Sequence, residues 1–144
     1  MIKICFICTG NTCRSVIAEK LLIKELKARG LDNVKVTSAG VAANGEDATE
    51  NTKKVLKEHG ITVRSRKSKG LKKTDSKTLY ITMGEVHKQY VKAERVVAFG
   101  EFVGCTDISD PHGQTLEVYR TVANIIKSYV KQLADKLEFE IGRK

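Results

Sequence analysis

Short apolar stretches with the length of β-strands alternate along this chain with amphipathic stretches with the length of helices. This alternation favours a parallel sheet, because each helix carries the chain back to the end where the next parallel strand begins. We therefore predict an α/β fold: a doubly wound, four-stranded parallel sheet with helices on both faces. The predicted strands are residues 2–8, 34–38, 78–82 and 95–99, and the predicted helices are residues 15–29, 47–59, 85–91 and a last one from near residue 115.

The 144 residues contain no repeat, low-complexity linker or break in composition, so we expect a single domain over residues 1–144. No apolar run approaches the length of a membrane span. The first residues have the pattern of a strand that leads directly into a polar loop, not that of a signal peptide. We expect a cytoplasmic monomer with no membrane partner.

The four cysteines are poorly placed for a disulfide framework, because three of them lie within the first 13 residues. Cys5 and Cys8 have the spacing of half a zinc site, but no second pair of ligands lies near them at metal-like spacing. If residues 2–8 form a strand, these two side chains point to opposite faces, which argues against a redox pair. We expect free thiols and no metal.

The net charge of +9, from 26 basic and 17 acidic side chains, allows a nucleic-acid partner in principle. The densest basic stretch, residues 64–73, contains no aromatic side chain on which a base could stack. The charge therefore favours a surface that attracts anionic substrates, and we expect no nucleic-acid partner.

The loop between the first strand and the first helix carries the chemistry. Cys8 ends the strand and Arg14 begins the helix, and we expect the backbone N–H groups between them to form a nest for a tetrahedral oxyanion at the helix N-terminus. We expect Gly10 to allow a backbone that a side chain would obstruct, and Asn11 to adopt a left-handed conformation. Arg14 can hold two oxygens of the bound group. The predicted substrate-binding residues are Thr9, Gly10, Asn11, Thr12, Cys13, Arg14 and Ser15.

This positive environment favours the thiolate of Cys8, to which the Ser15 hydroxyl can donate a hydrogen bond. The loop combines a nucleophile, a nest of N–H groups for an anion and the guanidinium of Arg14. This combination predicts phosphoryl transfer through a phosphocysteine, without a cofactor. Cys13 borders the same loop. We expect it to be dispensable for the chemical step and to form a disulfide with Cys8 under oxidation.

A general acid must protonate the leaving atom, and Asp110 is the best candidate. It lies in the loop after the last predicted strand, beside Pro111, the one proline of the chain, which restricts its backbone. The loops 8–14, 40–47 and 100–114 all follow strands and should meet at one rim of the sheet. Asp107 is the nearest competing carboxylate.

These motifs resemble the low-molecular-weight protein tyrosine phosphatase family over essentially the whole chain. The resemblance implies a metal-free, two-step mechanism on phosphorylated proteins, with Cys8, Arg14 and Asp110 as the catalytic residues. The residues that carry it are the segment from Cys8 to Ser15, Ala18-Glu19, Ser38-Ala39-Gly40, Thr82-Met83 and Asp110-Pro111.

Several positions depart from the tyrosine-specific pattern of that family. Val16 replaces a proline, Ser65 replaces a histidine that supports the loop, and the aromatic residues that line the slot for a phenol ring are missing. Each aromatic contact that a phosphotyrosine ring loses weakens its binding by about 1 kcal/mol. Thr12 stands where the tyrosine-specific members have a larger aliphatic residue. At this position the chain resembles the bacterial protein-arginine phosphatases of the family. We therefore expect phosphoarginine as the substrate, with phosphotyrosine as the alternative.

Three other functions fit the sequence less well. Arsenate reductase shares the loop but needs two closely spaced redox cysteines in mid-chain, and residues 60–104 contain none. A non-catalytic phosphoprotein-binding module has no need of the set Cys8, Arg14 and Asp110, which is complete here. A sugar-transport component phosphorylated on cysteine does not need Arg14, so the presence of Arg14 argues against that function. A phosphatase remains the best interpretation.

Overall fold

The computed structural model describes residues 1–103 and 107–142. A 3-10 helix spans Glu85–Tyr90. The other elements follow in chain order: β1 (Ile2–Cys8), α1 (Arg14–Ala28), β2 (Val34–Gly40), α2 (Glu50–Glu58), β3 (Thr78–Thr82), β4 (Val96–Ala98), α3 (Phe99–Phe102) and α4 (Leu116–Gly142).

The four strands form one parallel sheet in the order β2-β1-β3-β4. β1 is central: Ile2 lies opposite Val34, and Cys8 lies opposite Gly40 on the neighbouring strand. The predicted four-stranded parallel sheet is therefore confirmed. Because β1 and β2 end together, the loops that follow Cys8 and Gly40 begin side by side.

Alternate residues of β1 supply two separate cores. Ile4, Phe6 and Cys8 pack in the larger core with the apolar faces of α1, α2 and α4. Cys5 and Ile7 pack on the opposite face in a smaller core, with Tyr80 and with Val91 at the end of the 3-10 helix. Cys5 and Cys8 thus lie on opposite faces of the sheet, as predicted from strand alternation.

Side-chain caps explain where two predicted helix boundaries shift. α2 begins at Glu50 and not at Asp47, because the Thr49 hydroxyl accepts a hydrogen bond from the Thr52 backbone N–H at 3.3 Å. The Thr115 hydroxyl accepts from the Val118 N–H at 3.3 Å, so α4 begins at the next residue.

The segment around β4 differs most from the prediction. β4 has three residues, and the chain turns at once into the short helix α3, which the sequence pattern did not indicate. The predicted helix at residues 85–91 is a 3-10 helix. None of the helices in residues 1–103 and 107–142 is long and apolar enough to cross a membrane.

The close approach of β2 to the loop after β1 requires Gly40. A Cβ atom on Gly40 would lie 2.5 Å from the Thr9 carbonyl oxygen and 2.9 Å from the Asn11 nitrogen. The expectation that Gly10 is needed for its backbone freedom is wrong: its φ angle is not left-handed, and a Cβ there would meet Thr12 Oγ1 at an ordinary 3.5 Å. The essential glycine therefore lies on the neighbouring strand.

We predict that Gly40→Ala lowers the free energy of unfolding by about 1–3 kcal/mol, since backbone atoms must move to admit the methyl group. Gly70, which forms a β-bridge with Gly40, is the matched control, because nothing lies within 4 Å of a Cβ placed there. Gly70→Ala should change the free energy by no more than about 0.5 kcal/mol. Urea denaturation of both variants measures the difference, and equal losses would contradict the prediction.

Candidate active site

A pocket of about 200 Å³ lies beyond the carboxyl ends of β1 and β2. Ligands of parallel sheets bind at this edge. Three loops line the pocket, as predicted: the loop after β1, the loop after β2 and the described part of the loop before α4. The lining residues are Cys8, Thr9, Gly10, Thr12, Cys13, Arg14, Ala42, Asn44, Glu46, Asp110 and His112.

The thiol of Cys8 lies at the base of this pocket and is 3% exposed. Its Sγ accepts a hydrogen bond from the Asn11 backbone N–H at 3.3 Å and lies 2.9 Å from Ser15 Oγ. A thiolate has no hydrogen of its own, so Ser15 is the donor when Cys8 is ionised. Both contacts stabilise the negative form of the sulfur.

Asn11 organises the loop. Its backbone is left-handed, with φ 56°, and its side chain is fully buried. The amide Nδ2 donates to Ser15 Oγ and to Ser38 Oγ, each at 2.9 Å. Ser38 in turn donates to the carboxylate of Glu19 on α1. These contacts give a structural reason for Ser38 and Glu19 in the sequence motifs. Glu19 binds Ser38, and Ser38 binds Asn11, the residue that positions the loop.

Arg66 supports the loop from the other side, and the sequence analysis missed it. Its guanidinium donates to the Asn11 carbonyl oxygen at 3.1 Å and to Asn11 Oδ1 at 3.2 Å, and the Lys69 backbone N–H donates to Oδ1 at 2.9 Å. The resemblance drew attention to the adjacent Ser65 as a lost support. The support comes from Arg66, which a single sequence cannot pair with a residue 55 positions earlier.

Arg14 and Asp110 face each other across the pocket. Arg14 Nη1 donates to the Ile108 carbonyl oxygen at 3.1 Å, and Nη2 lies 3.6 Å from Asp110 Oδ2. The Arg14 side chain is 9% exposed, whereas that of Asp110 is 51% exposed. The His112 backbone N–H also binds Asp110 at 3.0 Å. The guanidinium is thus fixed, and the carboxylate remains open to a ligand.

Asp107, the competing carboxylate, is engaged elsewhere. Its Oδ2 accepts a hydrogen bond from the Glu85 backbone N–H at 3.0 Å, at the start of the 3-10 helix. It does not line the pocket, although Asp110 does. The geometry therefore favours Asp110 as the carboxylate that can reach a leaving group.

Cys13 points into a polar cluster at the side of the pocket. Its Sγ lies 3.2 Å from Tyr119 Oη, 3.6 Å from Thr49 Oγ1 and 3.9 Å from His112 Nδ1. Burial raises the pKa of Tyr119 to about 12, so its hydroxyl keeps its proton. Cys5, Cys8 and Cys13 are free thiols, and Cys105 lies outside the described residues.

Cys5 lies outside the pocket, in the smaller core on the opposite face of the sheet. Burial raises the pKa of its thiol, which favours the uncharged form. In the described part of the chain, no group of three or more His, Cys, Asp or Glu side chains is arranged to hold a metal ion.

His87 ties the loop to the 3-10 helix. Its Nδ1 accepts a hydrogen bond from the Gly84 N–H at 3.1 Å, so Nε2 carries the proton and donates to Thr9 Oγ1 at 3.0 Å. Burial, and then the positive charge of Arg14, lower the pKa of His87 below its ordinary value. The sequence showed a histidine here but not its partner Thr9.

Over residues 3–143 the sequence matches the family described as low molecular weight phosphotyrosine protein phosphatase. The chain therefore belongs to this family. It is a protein phosphatase of the class that works through a cysteine.

Relatives within the family carry two different activities in their names. The protein-arginine-phosphatase of Geobacillus stearothermophilus is 39% identical over 149 residues, which cover 96% of this chain and 97% of the relative. The low molecular weight protein-tyrosine-phosphatase PtpB of Staphylococcus haemolyticus is 33% identical over 125 residues, which cover 82% of this chain and 87% of the relative.

A solved structure of the YwlE arginine phosphatase has the same fold. It is a cysteine-to-serine mutant with a phosphorylated active-site serine. It superposes with a TM-score of 0.85 at 31% identity and covers 95% of this chain and 96% of that chain. In that relative, therefore, a serine of the active site carries a phosphoryl group.

We predict that stability falls as the pH drops from 7 to 5 because of His87. Its folded-state pKa lies below the ordinary 6.5, so the unfolded state takes up a proton first and protonation favours unfolding. His87→Gln should flatten this fall, measured as the slope of the urea midpoint against pH. The carboxylates with lowered pKa values titrate below this window.

His59 is the comparison residue, because burial also lowers its pKa and Lys127 and Lys24 add to the effect. His59→Gln should flatten the slope in part, and the double variant should flatten it further. If His87→Gln kept the full wild-type slope, the assignment of a neutral, proton-donating His87 would be wrong.

Proposed function

We propose that this protein hydrolyses phosphoarginine in proteins, with Cys8 as the nucleophile. The observation that carries the proposal is the lining of the pocket. Of its eleven lining residues, all within the described part of the chain, none is Phe, Tyr or Trp, and two, Glu46 and Asp110, are carboxylates. A phenol ring has no aromatic partner on such a surface, whereas a guanidino group has acceptors for its N–H donors.

In the first step the Cys8 thiolate attacks phosphorus and forms an S–P bond. The P–N bond breaks, and the electron pair leaves with the guanidino nitrogen, which takes a proton from Asp110. The backbone N–H groups of the loop and the guanidinium of Arg14 stabilise the charge on the phosphoryl oxygens. Arg14 is already held by Ile108 and needs little rearrangement.

In the second step a water molecule attacks the phosphocysteine and gives its proton to the Asp110 carboxylate. The S–P bond breaks, inorganic phosphate leaves, and the Cys8 thiolate is restored. Ser15 and the Asn11 N–H, which contact Sγ, stabilise the departing thiolate. The exposure of Asp110 supports this role, because the carboxylate must reach water as well as the leaving group.

Glu46 and Thr12 are the residues that we propose for recognition of the guanidino group. Glu46 lines the pocket and, among the described residues, its carboxylate forms no ion pair. Thr12 lines the same pocket and is 7% exposed. The small Thr12 side chain leaves room beside Cys8, and the Glu46 carboxylate supplies an acceptor at the rim. The sequence analysis identified Thr12 but not Glu46, which carries no motif.

We predict that Asp110→Asn lowers kcat about 10²–10⁴-fold on a substrate with a poor leaving group. The loss should shrink on an activated aryl phosphate, whose leaving group needs no proton. Steady-state kinetics on the two substrates measure the ratio.

Asp107→Asn is the matched control, because it removes a carboxylate three positions away that binds the Glu85 N–H. It should reduce both activities by the same modest factor. If Asp107→Asn showed the leaving-group dependence and Asp110→Asn did not, the general acid would be Asp107.

The experiment that tests the substrate is a side-by-side assay on phosphoarginine and phosphotyrosine in the same peptide. We predict that the wild-type protein prefers phosphoarginine. Thr12→Ile should lower the ratio of kcat/KM for phosphoarginine to that for phosphotyrosine, because a larger aliphatic group fills the space and offers a phenol ring apolar contact.

Glu46→Gln should lower the same ratio by roughly 10- to 100-fold, since a charge-assisted hydrogen bond is worth about 1.5–3 kcal/mol. Glu50→Gln is its control, an exposed carboxylate on α2 that does not line the pocket. A wild-type preference for phosphotyrosine would replace the proposal with the alternative, a protein tyrosine phosphatase, and leave the proposed roles of Cys8, Arg14 and Asp110 unchanged.

A further inference from the structure

A second, larger concavity of about 880 Å³ lies away from the catalytic pocket. Its floor is formed by β1, β2 and β3 and its wall by residues 66–75, of which Gly70 pairs in parallel with Gly40 at the end of β2. We call this concavity the basic groove. Six lysines and one arginine line it: Lys3, Lys35, Arg66, Lys67, Lys69, Lys72 and Lys73.

The positive charge of the basic groove is not balanced within the protein. In residues 1–103 and 107–142, none of its six lysines forms an ion pair with a carboxylate. Asp75 is the one carboxylate that lines the groove, and it accepts hydrogen bonds from the Lys77 and Thr78 N–H groups and the Thr78 hydroxyl. Asp75 also interacts electrostatically with Lys3, and the other five lysines face solvent without a carboxylate partner among the described residues.

The strand pairing brings two of these cations together. Lys3 and Lys35 are register partners on β1 and β2, so their side chains stand next to each other on one face of the sheet. Like charges at such a position repel and destabilise the pair. An anion bound in the basic groove would relieve this repulsion.

The basic groove also contains a polar atom without a partner. Ser68 lines the groove and is 7% exposed, and its hydroxyl oxygen is buried without a hydrogen-bond partner in the described residues. A buried hydroxyl that lacks a partner is destabilising. One hydrogen-bonding group of a residue that lines the groove is thus unused in the described structure.

Arg66 joins the basic groove to the catalytic loop. It lines the groove, and its guanidinium holds the backbone and side-chain oxygens of Asn11, whose N–H binds Cys8 Sγ. The wall of the groove therefore begins at the residue that supports the active site. A chain that lies in the groove passes close to the phosphoryl-binding loop.

We propose that the basic groove binds an acidic segment of the protein substrate, with Asp and Glu side chains placed on its lysines. That this acidic segment belongs to a substrate rests on the phosphoarginine hydrolysis proposed above. The binding of an acidic peptide in the groove does not depend on it. Single-stranded nucleic acid fits the groove less well. Tyr80 is the one aromatic residue among the described lining residues, and at 5% exposure its ring offers no face for stacking.

The test measures binding of a fluorescently labelled, unphosphorylated ten-residue Asp/Glu peptide to the whole protein. In the groove variant Lys67→Glu/Lys72→Glu/Lys73→Glu the affinity should fall at least about 10-fold, since several exposed ion pairs are lost and reversed. The control variant Lys27→Glu/Lys54→Glu/Lys131→Glu has the same net charge, and its three exposed positions lie outside the groove. It should bind within about twofold of wild type.

Three results would overturn the proposal: no measurable binding to wild type, equal losses in the two triple variants, or tighter groove-dependent binding of a single-stranded oligonucleotide than of the peptide. Because this peptide carries no phosphate, the result stands even if phosphoarginine is not the substrate. A kinetic arm then addresses the substrate. The groove variant should lower kcat/KM for an acidic phosphopeptide relative to a neutral one, and the control variant should leave that ratio unchanged.

Discussion

The buried side chain of Asn11 accepts and donates hydrogen bonds to its full capacity, and the active site depends on it. Two donors go to Ser15 and Ser38, and two acceptor positions are filled by Arg66 and Lys69. These partners come from α1, from β2 and from the segment before β3. A left-handed, non-glycine residue is strained and persists only where its surroundings hold it from several sides. Here α1, β2 and the segment before β3 hold Asn11 in this conformation.

This arrangement gives the loop its shape before any ligand binds. The Asn11 N–H donates a hydrogen bond to Cys8 Sγ. The Ser15 hydroxyl contacts the same sulfur and accepts a hydrogen bond from the side-chain amide of Asn11. His87 fixes Thr9 at the start of the loop, and the Ile108 carbonyl fixes Arg14 at its end. An anion therefore meets dipoles that are already aligned, and this alignment is the main source of transition-state stabilisation in such sites.

Local patterns in the sequence were enough to predict the parallel sheet, the positions of Cys8 and Arg14 at a strand-to-helix junction, and the opposite faces of Cys5 and Cys8. They did not predict Arg66, His87 or the need for Gly40. Each of these residues acts on the loop from a distant part of the chain. Thr9 and His87, for example, are 78 positions apart. Gly10 was misjudged for the same reason, since the steric limit lies on β2 and not within the loop.

The separation of tasks within the site explains how one loop can serve different phosphorylated side chains. In the proposed mechanism the phosphoryl group contacts mostly backbone N–H groups and Arg14, which are indifferent to the leaving group. We therefore expect selectivity to come from Thr12 and from the rim, where the loops after β2 and before α4 place Glu46, Asp110 and His112. Loops can vary at little cost to the sheet beneath them. Arginine or tyrosine specificity can thus change at the rim while the Asn11 network, on which the chemistry rests, stays constant.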